Sequence, residues 1–219
     1  MKFNARDLTV LKNFASINPS IQFKEGNVIR TISRSKTILA SAKLSEEVEK
    51  TFAVYDLSQF LSAMSLFSDP EIDFGESSLT IRQGKEKLQY TYTDASLINT
   101  PPNKDINLPS EDVSFELKNE VLTKVQKALG VVGSPEVAFI GDGETIRLTA
   151  CDSKNSSSSN FSIDVGETEK TFKLIFLAEN IKLLPGDYQV TSSAKGISKF
   201  ENDEVTYFIA SEQNSTFED

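Results

Sequence analysis

The sequence predicts an α+β protein made of two similar domains, each with two helices packed on antiparallel sheet. Three observations carry this reading. Glu49-Lys50-Thr51-Phe52 reappears as Glu169-Lys170-Thr171-Phe172, a shift of 120 in a chain of 219 residues. The residues after each copy match in kind: an apolar stretch, a helical segment, a proline stop and further strands, ending in Leu88-Gln89-Tyr90-Thr91-Tyr92 and Val205-Thr206-Tyr207-Phe208-Ile209. Finally, few helical stretches alternate with many short strand-like runs, the pattern of an antiparallel sheet covered on one face by helices. A repeat period this long means two domains rather than a solenoid of short units.

Each element has its own local reason. Over residues 4–17, Leu8, Leu11, Phe14 and Ala15 share one side of a helix, and Arg6, Thr9, Lys12, Asn13 and Ser16 the other. Asn4 is placed to cap it, with Asp7 at its third position, and Asn18-Pro19-Ser20 ends it. Strand-like runs come next at 21–24, 28–33, 37–44 and 50–55, and Glu25-Gly26-Asn27 reads as a hairpin turn. A second helix is predicted over 57–68, with Asp56 and Gln59 spaced for a capping box. Its apolar side is Leu57, Phe60, Leu61, Met64 and Phe67. Its outer side, Ser58, Ser62 and Ser65, is small and uncharged. Three more strands complete the half.

Asn99-Thr100-Pro101-Pro102-Asn103 cannot continue a helix or a central strand. The expected division is therefore a first domain over 1–98, a linker over 99–112 and a second domain over 113–219. The second half repeats the plan. A helix is predicted over 117–129, with Leu117, Val121, Leu122, Val125, Ala128 and Leu129 on one side, stopped by residues 130–135. Strands are predicted at 137–140, 145–150, 161–165 and 171–175, then a short helix over 177–184 and three strands. The serine-rich segment 153–160 reads as a mobile hairpin tip.

Composition excludes several functions. With no His in the chain, the usual triads and His-metal sites are ruled out. The single Cys151 can make neither an internal disulfide nor a thiolate zinc cluster, and it reads as a small half-buried residue rather than a nucleophile. Gly141-Asp142-Gly143 is a two-glycine turn, not a phosphate loop. The acidic residues are scattered at strand ends and turns, so no enzyme, metal or cofactor is expected. No apolar run approaches the roughly 20 residues of a membrane helix, and the start of the chain carries no signal-peptide core, so a soluble intracellular protein is expected.

Charge is unevenly distributed. The chain carries a formal −9, yet the helical stretches 4–17, 56–68, 117–129 and 177–184 carry +1, −1, +2 and 0, which leaves −11 for the rest. An acidic body with mildly basic, serine-lined helices suggests one surface that meets a polyanion. The plainer reading is an ordinary solvated face, with Glu120 and Lys124 as an i, i+4 pair.

The string Leu11-Lys12-Asn13-Phe14-Ala15-Ser16-Ile17-Asn18 resembles the first helix of the sliding clamps of T-even-type bacteriophages. Tyr55-Asp56-Leu57, Phe60-Leu61-Ser62 and Ser65-Leu66 are similar to the same family, as are Pro185-Gly186-Asp187-Tyr188 and the ending from Val205-Thr206-Tyr207 through Ser215-Thr216. The resemblance spans nearly the whole chain and is carried by structural rather than catalytic motifs. From about 110 to 165 it rests mainly on pattern.

The resemblance implies the DNA-clamp fold in a ring-shaped homotrimer, six domains in all, with helices lining a hole around double-stranded DNA. Such a ring tethers a DNA polymerase through the polymerase's C-terminal peptide. An ATP-dependent clamp loader opens it, phage transcription factors are further partners, no membrane is involved, and the location is the cytoplasm of the infected bacterial host. On this basis Arg6, Lys12, Lys118, Lys124, Lys127 and Lys182 are expected near DNA. A partner-peptide pocket is expected from Ile98, Pro101, Leu108, Pro185, Tyr207, Phe208 and Ile209. Segments 79–85 and 151–163 are candidates for the subunit interface. Two other readings stand beside it: a ring-forming phage structural or assembly protein with no DNA role, and an acidic two-domain hydrolase.

Overall fold

The computed structural model describes residues 1–104, 106–155 and 157–218. The chain divides into two compact units, Met1–Lys104 and Asp105–Asp219.

The first unit opens with α1, Ala5–Ile17. Its start is fixed by a full capping box: Asp7 N–H donates to Asn4 Oδ1 at 2.8 Å, and Asn4 N–H donates back to Asp7 Oδ2 at 3.1 Å. Asp7 is fully buried and has a second task. It also accepts from Ser45 N–H at 3.0 Å and from the Ser45 hydroxyl, which ties α1 to the strand Ile38–Val48. The strands are β1 (Ile21–Phe23), β2 (Gly26–Ile32), β3 (Ile38–Val48) and β4 (Phe52–Val54). The helix α2 spans Leu57–Met64, and β5 (Glu71–Phe74), β6 (Ser78–Gln83) and β7 (Glu86–Thr91) complete the unit.

β1 pairs with β4, β2 with β3, and β5–β6–β7 form an antiparallel meander. The expected hairpin at Glu25-Gly26-Asn27 is therefore a corner. β1 takes β4 as its partner, and Gly26 at φ 96° turns the chain into a different ladder. The core is aromatic: Phe3, Phe23, Phe52 and Phe60 are buried, and Phe60 meets Tyr90 edge-on at 5.1 Å.

The second unit holds β8 (Val113–Leu117), α3 (Asn119–Val132), β9 (Glu136–Asp142), β10 (Thr145–Cys151), β11 (Phe161–Glu167) and β12 (Thr171–Leu177). After these come β13 (Tyr188–Ser193), β14 (Ile197–Glu201), β15 (Val205–Ala210) and β16 (Thr216–Glu218). One sheet runs β11–β10–β9–β12–β16; another ladder runs β8–β13–β14–β15. Phe115, Phe139, Phe176 and Phe200 are in ring contact at its core.

Two helix expectations are corrected. The segment 177–184 is not a helix: Leu177 ends β12, Ala178–Asn180 form a single 3-10 turn, and the chain then runs to buried Leu183 and Leu184. Pairing with β9 holds Leu174 to Leu177 extended, and what remains before Pro185 is too short to repay helix nucleation. The second unit thus has one α-helix and a 3-10 turn where two helices were expected. Leu117 and Lys118 likewise precede α3, because Leu117 pairs with Tyr188 as the last residue of β8. The segment 79–85 lies mostly in β6, which is paired on both sides; β7 is the edge of that meander. Segment 151–163 joins β10 to β11, and β11 is an edge strand; Ser156 lies outside the described residues.

The repeated string marks equivalent positions. Phe52 in β4 pairs with Phe23 of β1, and Phe172 in β12 pairs with Gly141 of β9. Both phenylalanines keep a stacked ring, but from different sources. Phe23 lies on Phe52 at 4.6 Å and 7°, whereas Phe172 stacks on Phe217 of β16 at 5.7 Å and 12°.

Candidate nucleic-acid interface

Each helix buries its apolar stripe and turns a small or basic stripe outward. On α1, Val10, Leu11, Phe14 and Ile17 are buried, while Ala5, Thr9, Lys12 and Ser16 differ from them in facing partly or wholly outward, at i, i+4, i+7 and i+11. On α2, Leu57, Phe60, Leu61 and Met64 are buried and Ser58, Gln59, Ser62 and Ser65 face out. The Ser62 hydroxyl donates to Ser58 O at 2.8 Å, and the Ser65 hydroxyl donates to Ser62 O at 2.7 Å. Their protons are spent on the helix itself, so these hydroxyls present lone pairs outward. On α3, Leu122 and Val125 are buried; Lys124 and Lys127, three residues apart, are exposed with Glu120, Gln126 and Val131.

The expected basic residues separate into two groups. Lys12, Lys124 and Lys127 stand exposed and join no ion pair among the described residues. Arg6 instead folds back: it donates to the Lys43 carbonyl and lies 3.6 Å from Asp7. Lys118 sits at the N-cap of α3, ion-paired with Glu116 and, at 3.3 Å, with Asp187. Those hydrogen bonds and charges raise its pKa, the Glu116 contact contributing most. Lys182 is half-buried in the stretch after the 3-10 turn and not on a helix.

The α3 start shows why Lys118 is engaged. Its cap position has no capping side chain, and Asp187 supplies one from another segment by accepting from Asn119 N–H at 2.8 Å. That bond, with Lys118 beside it, holds the Asp187 carboxyl below its ordinary value.

The expected pocket residues also differ in setting. Ile98 lines a hollow of about 410 Å³ with Asn18, Pro19, Arg34, Tyr55 and Leu97. Pro101 lines a separate hollow of about 410 Å³ with Val28 and Arg30. Both hollows belong to the first unit. Tyr55 and Leu97 were not among the expected pocket residues, yet they are 63% and 68% exposed, a large apolar display for a cap-flanking residue and a turn residue. The available signal was an aromatic directly before the helix cap Asp56. In the second unit, Pro185 is exposed and Leu108 half-buried. Tyr207, Phe208 and Ile209 are buried within β15, and the Tyr207 hydroxyl accepts from Leu184 N–H at 3.2 Å. In the single chain these three pack the interior.

Other chemistry is sparse. Cys151 is half-buried, and burial pushes its thiol up, with Glu136 and Asp152 adding to the effect and Lys173 opposing it. Among the described residues no group of three or more Cys, Asp or Glu side chains is arranged to hold a metal ion.

The family profile described as DNA polymerase processivity factor matches residues 5–99, and the one described as gp45 sliding clamp, C terminal, matches residues 114–213. The sliding clamp of Vibrio phage KVP40 is 36% identical, over 97% of this chain and 99% of its own. That of Enterobacteria phage T4 is 30% identical over 99% of each. Among solved structures, the fold matches PCNA from Thermococcus kodakaraensis with a TM-score of 0.70 at 21% identity, covering 97% of this chain and 99% of that one. It also matches the A. fulgidus PCNA solved with the C-terminal region of FEN-1, with a TM-score of 0.69 at 16% identity over 95% and 96% of the two chains. Full-length identity to phage clamps, adjoining family matches in the two halves and the clamp fold agree: this chain belongs to the sliding clamps, the DNA polymerase processivity factors of bacteriophages.

Proposed function

We propose that three copies of this chain close into a ring around double-stranded DNA, without regard to sequence, and so tether the replicative polymerase. The observation that carries this is the outward face of each helix. Lys12 on α1 and Lys124 and Lys127 on α3 join no ion pair among the described residues, and α2 shows short serines, on a chain of net charge −9. A sliding surface needs attraction without a fixed grip, and a dense lysine array would hold phosphates in register and resist movement. The acidic remainder repels DNA from every other surface. The proposed division is a first domain over 1–98, a linker over 99–112 and a second domain over 113–219.

Closure rests on edges. β7 and β11 each end a sheet within their own unit, and unpaired edges invite a partner strand. In the proposed ring, β7 of one copy pairs with β11 of the next, a head-to-tail contact that closes when the rotation allows. The ring performs no chemistry itself; an ATP-dependent loader opens it in the cytoplasm of the infected cell. Client peptides, including the polymerase C-terminal tail, dock near Leu108 and Pro185. Phage transcription factors are further clients.

The test is retention on circular DNA. Reversing the charge of Lys12, Lys124 and Lys127 together is expected to shorten retention at raised salt while the trimer persists. Wild-type retention by this variant would move the DNA surface off these helices. For the docking site, Leu108→Glu with Pro185→Glu is expected to abolish binding of the polymerase tail peptide in calorimetry. Unchanged affinity would place docking elsewhere.

A further inference from the structure

The stretch 211–218 binds the outer edge of β12 as an extended ligand binds a receptor. Glu212 N–H donates to Ile175 O at 2.7 Å, and Ile175 N–H donates to Ser215 Oγ at 2.9 Å. Then β16 sets Thr216 against Lys173, Phe217 against Phe172 and Glu218 against Thr171. The Phe217 ring lies flat on Phe172, with Lys170 Nζ 5.4 Å from its centroid. Beneath it, Phe172 covers Gly141 so closely that a Cβ there would stand 2.4 Å from the ring. The result is a slot with an aromatic floor, a cationic wall and a row of main-chain donors and acceptors.

We propose that this slot is a docking site for a short extended peptide bearing an aromatic residue followed by an acidic one, and that residues 211–218 are its resident occupant. The occupant states the chemistry. Residues 211–218 carry Glu212 and Glu218 and no basic residue, and they lie along a strand that carries Lys173, with Lys170 just before it. Their seating is shallow: Phe217 is only half-buried, and Thr216 and Glu218 are exposed. The counterpart in the first unit is different in kind. There the partner ring is Phe23, fully buried and part of β1, whose position in the second unit is Gly141. The repeated phenylalanine thus has a built-in partner in one half and a surface-seated one in the other. A client peptide of the same chemistry would enter by strand addition, main chain for affinity and the ring for specificity. The site lies wholly in the second unit and does not depend on the ring.

The test is a fluorescent peptide with the sequence Ser-Glu-Gln-Asn-Ser-Thr-Phe-Glu-Asp, titrated against the full chain by anisotropy. Phe217→Ala vacates the slot and is expected to bind the peptide at least tenfold more tightly than wild type. Adding Lys170→Glu is expected to remove that gain, and a peptide with Ala in place of Phe is expected not to bind. Should Phe217→Ala fail to fold, Glu218→Lys weakens the same occupancy without touching a buried group and is expected to show the same ordering. Equal affinity for wild type and a folded vacated variant would overturn the proposal and leave β16 a fixed structural strand. So would binding indifferent to Lys170 and to the peptide's phenylalanine.

Discussion

At the residue scale, single side chains set geometry that many others depend on. Gly141 is the sharpest case. A methyl added there meets the Phe172 ring at 2.4 Å and the Lys170 carbonyl at 2.8 Å, and the backbone oxygen cannot move aside cheaply. Gly141→Ala is expected to lower stability by about 1–3 kcal/mol, read from the midpoint of urea unfolding. Asp187 makes a pH prediction. Its folded pKa lies below the ordinary value of 3.8, so its contribution is fully present above that value and fades as pH falls through the lower folded one. The gap in urea midpoint between wild type and Asp187→Asn is therefore expected to be largest near neutrality and to close below about pH 4. Burial disfavours the Cys151 thiolate and raises the thiol above its ordinary value. Its alkylation by iodoacetamide is expected to be slower at pH 8 than that of an exposed thiol; a fast reaction would place it in the open. The capping role of Asn4 and Asp7 was legible from spacing alone. The second role of Asp7 was not, because Ser45 lies 38 residues away and nothing local marks the pair.

At the element scale, α3 holds two glycines with opposite consequences. Gly130 lies inside the helix with open space where its Cβ would be, and Gly133 ends it at φ 66°. Gly130→Ala is expected to stabilise the protein by about 0.5–1 kcal/mol, and Gly133→Ala to destabilise it by about 1 kcal/mol, both measured by thermal or urea unfolding. Equal signs would mean that the helix ends elsewhere. Helices with strong periodicity and a cap were readable: α1 and α2 begin where Asn4 and Asp56 predict. The false helix at 177–184 had the right spacing of Leu177, Ile181 and Leu184 but no cap and too few residues. Its apolar positions serve a strand and a buried loop instead. Strand existence was also readable, but pairing was not. Nothing in Ile21-Gln22-Phe23 says that its neighbour is β4 rather than the next strand along, because partner choice is made by distant packing.

For the whole molecule, the duplication was the most legible feature and the site the least. A repeated string fixes equivalent positions, so two units follow from the sequence. Which lysines point outward does not follow. Lys118 and Lys124 are both lysines of one predicted helix, yet Asp187 captures the first from a distant segment. On the ring reading, dilution is expected to convert trimer to monomer without unfolding, followed by light scattering and circular dichroism together. The proposed pairing of β7 with β11 gives this a second reading: a proline at Lys87 in β7, whose N–H faces away from β6, should weaken the trimer and leave the monomer folded. A chain that is monomeric at every concentration would remove the ring, and the charge-reversal experiment would then report on simple surface binding.

The inward-donating serines of α2 bear on friction. A hydroxyl that has given its proton to its own helix cannot grip a phosphate directly, since both present lone pairs. Water must bridge them, and a bridging water exchanges partners far more readily than a lysine releases a phosphate. In the proposed ring, a surface of this kind behaves as a wet bearing, with many shallow minima along the duplex and none deep enough to stall it. The diffusion constant along DNA is then set by rotation through the groove and by solvent drag, and it should be nearly indifferent to base sequence.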